Sequence, residues 1–186
     1  MRGVVEVNPV MGKVKVMGVL DYEEASSHEL DVQAKDGGGQ SSHCKLIIDV
    51  IDVNDNAPVI AVKSTLATVP EDASLGAMVA LLHVYDLDTG TSGRVTCEIS
   101  DVVPFKLVSE VKNYLMLVID GVLDLEMWPH YNITVTAMDA GTHPLFRPSF
   151  TSTCTVQIFI ADQNDNAPVI FYPVQFDGYL AHDIVP

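Results

Sequence analysis

Short runs of apolar and β-branched residues follow one another along the chain, most of them alternating with polar residues. Eight such runs are separated by Gly, Pro, Asp and Ser at strand-length spacing, and they cover residues 13–19, 29–34, 45–53, 78–84, 94–99, 115–119, 132–137 and 153–160. Alternation with a period of two predicts β-strands, and no segment sustains the 3.6-residue period of a helix. We therefore expect an all-β chain built as an antiparallel β-sandwich.

One segment occurs twice. Asp-Val-Asn-Asp-Asn-Ala-Pro-Val-Ile at 52–60 returns at 162–170 with a single change, Gln163 in place of Val53. A repeat at about one domain length marks tandem domains of one kind. In each copy Ala-Pro stops any helix and restarts an extended backbone, so the segment is interpreted as a linker.

Two shorter matches support a division into units. Residues 20–23 and 123–126 share the form Leu-Asp-x-Glu, and residues 34–38 match 137–141. The second copy is longer, and the extra residues fall in the loop around 142–148, where a hairpin can lengthen without disturbing a sheet. We expect three units: the C-terminal part of one with its linker at 1–58 (unit one), a complete unit with its linker at 59–168 (unit two), and the opening of a further unit at 169–186.

Composition and net charge narrow the classes of partner that the chain could bind. A hydrophobic content of 48% is ample for a core, and 25 acidic against 10 basic side chains give a net charge of −15. That balance disfavours nucleic acid or anionic lipid as a partner and favours cations. No apolar run has the length of a signal peptide or approaches a membrane span, so we expect neither in this chain. The odd set of Cys44, Cys97 and Cys154 predicts no self-contained disulfide framework.

The acidic residues are grouped in a way that suits calcium. Ca²⁺ takes about six to eight oxygen ligands, more than one loop usually supplies. Alternate residues of an extended chain point the same way, and the loops of a sandwich cluster at its poles, so separated acidic pairs can converge on one junction. Ordinary Asx-turns are the structural alternative for any one motif, but two linkers in register favour a metal site.

These elements resemble tandem cadherin repeats, and unit two is most similar to the fourth extracellular repeat of the clustered protocadherins. Besides the linker, the resemblance rests on Val-Pro-Glu-Asp-Ala at 69–73, Asp-Leu-Asp-Thr-Gly at 86–90 and Tyr-Asn-Ile-Thr-Val-Thr-Ala at 131–137. It implies that each repeat is a seven-stranded Greek-key antiparallel β-sandwich. The first and last repeats are then incomplete here, and resemble the end of the third repeat and the opening of a later one.

The resemblance also implies Ca²⁺ at the junctions between repeats. The implied ligands of the first junction are Asp21, Glu23, Asp52, Asn54, Asp55, Asn56, Asp86, Asp88 and Asp139. Those of the second junction are Glu71, Asp124, Glu126, Asp162, Asn164, Asp165 and Asn166, and the partners of that half-site from the next repeat lie beyond residue 186, so it should bind weakly.

The implied function is calcium-dependent cell-cell adhesion and recognition, in the ectodomain of a plasma-membrane protein outside the cell. The implied partner is another protocadherin on the opposing cell, engaged homophilically, with no contact between this segment and the membrane. Two alternatives share every motif: a non-adhesive calcium-binding spacer or decoy, and a receptor ectodomain fragment for another ligand. An enzyme is disfavoured because the acids recur at unit boundaries without a Gly-x-Ser-x-Gly or Cys-His arrangement.

One modification signal lies outside these clusters. Asn132-Ile133-Thr134 is an N-glycosylation sequon. It falls in an alternating strand, where Asn132 could also simply face solvent, so the sequence leaves both readings open.

Overall fold

Strands form all of the regular secondary structure in the part of the chain that the structure describes. This computed structural model describes residues 4–141 and 149–169, with two short strands at 175–176 and 179–180. The strands are β1 Val5–Val7, β2 Val14–Val16, β3 Ser27–Lys35, β4 Ser41–Asp49, β5 Val59–Thr65, β6 Thr68–Pro70, β7 Met78–Tyr85, β8 Val95–Ile99, β9 Phe105–Val111, β10 Tyr114–Ile119, β11 His130–Asp139, β12 Thr151–Ala161, β13 Gln175–Phe176 and β14 Tyr179–Leu180. The predicted all-β class is confirmed.

Unit two is a sandwich of two four-stranded sheets. One sheet has the order β5-β7-β10-β9 and the other the order β6-β12-β11-β8. Period-two alternation explains how each sheet buries one face: on β12, Val156, Ile158 and Ile160 are buried while the residues between them are exposed. The inner faces form one core around the fully buried side chains of Leu82, Leu117, Ile119, Ile133, Ile158, Val79 and Val135.

The first strand of the sandwich is divided between the sheets. β5 pairs antiparallel with β7, the chain crosses over at Leu66 and Ala67, and β6 then pairs parallel with β12. The seven strands expected of the sandwich therefore appear as eight segments, with one parallel pair among antiparallel ones. Because β6 and β12 run the same way, unit two begins at one pole and ends at the other.

Unit one consists of two separate hairpins, β1-β2 and β3-β4, in the described residues. The alignment of the two units matches Val14 and Val16 with Leu117 and Ile119. Val14 and Val16 are 42% and 48% exposed, whereas Leu117 and Ile119 are 0% and 1% exposed. The same apolar pattern is thus present in both units, and among the described residues only unit two covers it with a second sheet.

Some predicted features are tested by the fold and others are not. The eight apolar runs coincide with β2, β3, β4, β7, β8, β10, β11 and β12. The three cysteines are free, with Cys44 exposed and Cys97 and Cys154 half-buried. The longer loop predicted at 142–148 and most of the predicted opening of a third unit, from residue 170 onward, lie outside the described residues.

Candidate metal centre

The pole of unit two nearest its start gathers three carboxylates. β7 ends at Tyr85, directly opposite the first residue of β5, and Asp86 and Asp88 follow in the next loop. Asp139 ends β11 at the same pole. One oxygen from each of Asp86, Asp88 and Asp139 lies within 4.8 Å of the other two. The strand ends, rather than one contiguous loop, therefore assemble this cluster.

Backbone contacts fix these side chains in place. The Asp88 N–H donates to Asp86 Oδ1 at 2.9 Å, and Gly141 and Phe150 donate their N–H groups to Asp139 Oδ1 at 3.1 and 3.0 Å. Gly93 closes the loop: a Cβ at this position would lie 2.1 Å from the carbonyl oxygen of Asp88. Only glycine at position 93 leaves room for the Asp88 carbonyl to come this close, and this close contact helps to position Asp88.

A second cluster joins the two units. Carboxylate oxygens of Glu23 and Asp52 from unit one and Asp88 from unit two lie within 4.8 Å of one another. The N–H and hydroxyl of Thr89 donate to Asp52 Oδ2 at 2.8 and 2.7 Å. In the linker, Asn56 Nδ2 donates to Asp88 Oδ1 at 2.7 Å. Asp88 therefore belongs to both clusters and lies where the linker meets unit two.

Several carboxylate oxygens at this junction are buried and have no hydrogen-bond partner among the residues that the structure describes. They are Asp52 Oδ1, Asp86 Oδ2 and Asp139 Oδ2. Two ion pairs form in the described part of the chain, Lys45 with Glu29 and Lys106 with Asp120, and neither includes a carboxylate of the two clusters. Because a buried carboxylate needs a compensating charge or donor, hard oxygen donors in this state fit a divalent cation such as Ca²⁺.

The protonation behaviour of the clusters reflects the same crowding. Burial raises the pKa of Asp86, and the negative charges of Asp88 and Asp139 raise it further. Burial also raises the pKa of Glu23, with contributions from a hydrogen bond to Asp21 and the charge of Asp55. Like charges held this close oppose ionisation, and a bound cation would remove that opposition.

Other predicted residues of the first junction have supporting positions. Asp21 Oδ1 accepts the N–H groups of Glu23 and Glu24 at 3.0 and 3.1 Å, as a turn residue does. Asp55 accepts from Asn56 Nδ2 at 2.9 Å, and Asn54 is buried in the linker with 1% exposure. Neither Asp21 nor Asp55 joins the two carboxylate clusters within the described residues.

The opposite pole of unit two holds a third cluster, of Glu71, Glu126 and Asp165, with carboxylate oxygens within 4.8 Å of one another. Glu71 is buried and accepts two backbone N–H groups, Gln163 at 2.7 Å and Leu125 at 2.8 Å. Asn166 Nδ2 bridges the other two acids, donating to Glu126 at 2.9 Å and to Asp165 at 2.7 Å.

The remaining predicted residues of this pole are less involved. Asp124 Oδ1 accepts the N–H of Met127 at 2.9 Å and so orders its own turn. Asp162 and Asn164 are exposed and belong to no metal-competent group among the described residues. The linker from 162 to 168 is exposed throughout, whereas Asn54 and Pro58 of the first linker are buried.

Sequence reasoning missed three contributors: Thr89, which donates to Asp52; Gly93, which admits the Asp88 carbonyl; and Gln163, whose N–H anchors Glu71. Only Gly93 carries a sequence signal, as a glycine that closes an acidic loop. Gln163 acts through its backbone N–H, which any residue supplies. Thr89 adds a hydroxyl to its backbone N–H, but its partner Asp52 is distant in the sequence, so no local pattern indicates the contact.

Residues 65–161 match the family model of the cadherin domain. The chain belongs to the cadherin family. It is 45% identical to human protocadherin alpha-2 over 169 residues, which is 90% of this chain and 17% of that protein. It is also 45% identical to human protocadherin gamma-C3 over 179 residues, which is 95% of this chain and 18% of that protein. This cadherin chain therefore spans less than a fifth of the length of these two relatives.

Solved structures of protocadherins share its fold. A structure of the gammaB7 EC3-6 cis-dimer superposes with a TM-score of 0.81 and 42% identity, over 90% of this chain and 39% of that chain. The gamma B2 extracellular cadherin domains 1-5 give a TM-score of 0.83 with 38% identity, over 90% of this chain and 31% of that chain. The resemblance of this chain to the cadherin repeats of protocadherins is confirmed.

Cadherins and protocadherins are adhesion proteins and not enzymes, which agrees with the prediction of a non-enzymatic protein. Cadherin domains as a family bind calcium at the junctions between repeats. No helix among the residues described is both long and apolar enough to cross a bilayer.

Proposed function

We propose that this cadherin chain serves in a calcium-dependent adhesion ectodomain, and that Ca²⁺ at the first junction holds unit one against unit two. The single observation behind the proposal is the cluster of Glu23, Asp52 and Asp88. Its carboxylates come from both units, lie within 4.8 Å of one another and form no ion pair with a basic side chain among the described residues. Units that contribute like charges to one point repel unless a cation lies between them.

The residues assigned to Ca²⁺ at this junction follow from the geometry and the family resemblance together. Asp88 would serve as a ligand in both clusters: one with Glu23 and Asp52, the other with Asp86 and Asp139. Asp21, Asn54, Asp55 and Asn56 complete the proposed set through the adjacent loop and linker. The ion would supply positive charge to buried carboxylate oxygens that have no hydrogen-bond donor within the described ranges of the chain.

At the opposite pole we assign Glu71, Glu126, Asp165 and Asn166 to a second, weaker calcium half-site, with Asp124, Asp162 and Asn164 as outer members. The three acids of the cluster lie together, but the surrounding linker is exposed. Glu71 is buried but Glu126 and Asp165 are exposed, whereas Asp88 and Asp139 of the first junction are buried and Asp52 and Asp86 are half-buried. Exposed acids are screened by water and salt, so the second cluster gains less from a bound ion than the first junction.

Adhesion is the proposed biological role because the relatives of this chain are protocadherins. The extracellular space suits such a site, since extracellular calcium modules typically bind with Kd of about 10⁻⁴ to 10⁻³ M. Another protocadherin on an opposing cell, bound homophilically, is the proposed partner. A calcium-binding spacer or decoy, or a receptor ectodomain fragment for another ligand, would use the same junction without that partner.

Thermal unfolding in EDTA and then in millimolar Ca²⁺ tests the junction. At a free Ca²⁺ concentration of ten times Kd, binding to the folded state alone adds about 1.4 kcal/mol to the free energy of unfolding. This raises Tm by roughly 5 °C or more for a unit of about 100 residues. Asp52→Asn should remove most of this shift. Asp101→Asn, an exposed acid in unit two outside every cluster, is the matched control and should keep it. An equal shift in both variants would contradict the proposed site.

Adhesion requires a separate assay. Beads coated with the chain should aggregate in Ca²⁺ and disperse in EDTA if the chain is sufficient for homophilic binding. A calcium-dependent Tm shift without aggregation would favour the spacer or decoy. Aggregation only with beads that carry a different protein would favour the receptor fragment.

A further inference from the structure

The two sheets of unit two do not close completely along one edge of the sandwich. β8 and β9 are end strands of their sheets, and they lie on the same side because they contact each other. A cavity of about 670 Å³ lies beside them. Its apolar floor consists of four half-buried residues that pack against the core, Val95, Cys97, Leu107 and Leu115. Ligand sites typically measure about 300 to 1,000 Å³, so the cavity has room for a small molecule.

Two exposed basic residues, Arg94 and Lys112, line the rim of this cavity. Arg94 directly precedes β8, and its N–H donates to the Thr91 carbonyl at 3.2 Å. Lys112 lies in the turn between β9 and β10, next to Asn113, which has a φ of 66°. The Asn113 carbonyl accepts the Val84 N–H at 2.8 Å, so this turn is folded back against β7. Backbone contacts therefore hold both cations beside the opening.

The charge of the rim contrasts with that of the chain. Arg94 and Lys112 belong to neither of the ion pairs that the described residues form, and the whole chain has 10 basic against 25 acidic side chains. A net charge of −15 repels polyanions at long range, so two local cations suit a single small anionic group. A cationic rim above an apolar floor is complementary to an amphipathic anion.

We propose that this cavity binds a small amphipathic carboxylate of the fatty-acid class. Its carboxylate would lie at Arg94 and Lys112, since guanidinium and ammonium groups form charge-assisted hydrogen bonds with carboxylates. Its alkyl chain would lie against the four apolar residues of the floor. Because those side chains are half-buried, the bound chain would remove both its own apolar surface and theirs from water.

The cavity adjoins the first calcium junction. Asp86 and Asp88 line the cavity wall and also belong to the carboxylate clusters of that junction. Their charges would repel the carboxylate of the ligand when calcium is absent, and bound Ca²⁺ would offset that repulsion. Calcium and the carboxylate should therefore strengthen each other's binding. This coupling rests on the proposed function, whereas the cavity and its two cations do not.

Binding is tested by NMR titration of the whole isotope-labelled chain with butanoate, hexanoate and octanoate, in calcium and in EDTA. Asn132 of the sequon is exposed and lies outside the cavity lining, so unglycosylated protein is suitable. Backbone signals of Val95, Cys97, Leu107 and Leu115 should shift, and Kd should fall about fourfold for each added methylene that leaves water. Octylammonium, with the same chain and the opposite charge, should bind at least tenfold more weakly than octanoate. Shifts spread over the whole chain, or a Kd independent of chain length, would overturn the proposal.

Variants locate the two ends of the ligand. Arg94→Gln and Lys112→Gln should each weaken octanoate binding by about two- to fivefold, as expected for exposed charge pairs. Lys63→Gln is the matched control, because Lys63 is exposed on β5 at the opposite edge of the sheet, and it should bind like the parent.

Cys97→Leu adds bulk to the cavity floor, so octanoate should lose most of its advantage over butanoate; Cys97→Val serves if the leucine variant does not fold. Unchanged octanoate affinity in both rim variants would refute the assigned head-group site. A calcium-dependent Tm shift without octanoate binding would overturn this inference alone, and octanoate binding without that shift would overturn the calcium junction alone.

Discussion

Asp86→Asn should change stability in opposite directions with and without calcium. The replacement keeps an oxygen to accept the Asp88 N–H. It puts an NH2 group in place of Asp86 Oδ2, which has no hydrogen-bond partner in the part of the chain that the structure describes. It also removes one negative charge from the cluster with Asp88 and Asp139. The variant therefore separates the charge of Asp86 from its structural hydrogen bond.

The size of the effect follows from the separation of the carboxylates. Two like charges about 4 Å apart repel by about 1 kcal/mol in water and by about 4 kcal/mol at an effective dielectric constant of 20. Asp86 is half-buried and has two such neighbours, so we take a value near the water limit, about 1 to 2 kcal/mol in total. In EDTA, Asp86→Asn should thus raise Tm by roughly 5 to 10 °C.

In calcium the sign should reverse, because the variant has lost an anionic ligand and with it much of the stabilisation by binding. The assay is thermal unfolding of the parent, Asp86→Asn and Asp101→Asn, each in EDTA and in a calcium titration. If Asp86→Asn were less stable than the parent in EDTA, the claim of net repulsion in the apo cluster would be wrong. If its calcium-dependent shift equalled that of the parent, Asp86 would not be a ligand.

Three further predictions concern Gly93, Glu71 and the titration of Asp86. Gly93→Ala should lower Tm in EDTA and remove most of the calcium-dependent rise in Tm, because the added Cβ would overlap the carbonyl oxygen of Asp88. A Tm equal to that of the parent would show that the loop can rearrange to accommodate the Cβ without loss of stability. Glu71→Gln should lower the free energy of unfolding of unit two by about 1 to 3 kcal/mol in urea. The amide nitrogen of the glutamine would face one of the two backbone N–H groups that now donate to the Glu71 carboxylate. An unchanged urea midpoint would argue against a structural role for Glu71. The raised pKa of Asp86 means that the folded apo state binds the Asp86 proton more tightly than the unfolded state does. The loss of folding stability caused by ionised Asp86 is therefore present above that pKa and fades below it. In EDTA, the difference in Tm between Asp86→Asn and the parent should close as the pH falls towards 4, and a difference that stays constant with pH would exclude electrostatic repulsion as its cause.

The sequence predicted the long strands well because their apolar residues alternate or run together. Within unit two it missed β5, β6 and β9, for separate physical reasons. β5 ends in the polar run Lys63-Ser64-Thr65, β6 has three residues and includes Pro70, and β9 breaks its alternation at Ser109 and Glu110. Their pairing comes from neighbouring strands, which a single-sequence pattern does not contain.

The candidate site was predictable as a set of segments but not as a set of contacts. Spacing indicated that acids from different loops would converge, and the structure brings Glu23 and Asp52 of unit one to Asp88 of unit two. Spacing could not distinguish Asp88, shared by two clusters, from Asp162, which is exposed and outside them. That difference depends on which linker is packed against a neighbouring unit, and this is a property of the tertiary structure.

The parallel pairing of β6 with β12 determines how unit two would respond to a pulling force. Thr68, Val69 and Pro70 align with Phe159, Ile160 and Ala161, next to hydrogen bonds from Phe159 to Ala67 and from Glu71 to Ala161. Tension applied between the start and the end of the unit would pull these two strands along their length in opposite directions. The hydrogen bonds between them would then be sheared together rather than unzipped one after another, so this short patch would act as a mechanical clamp in a protein that is pulled from both ends.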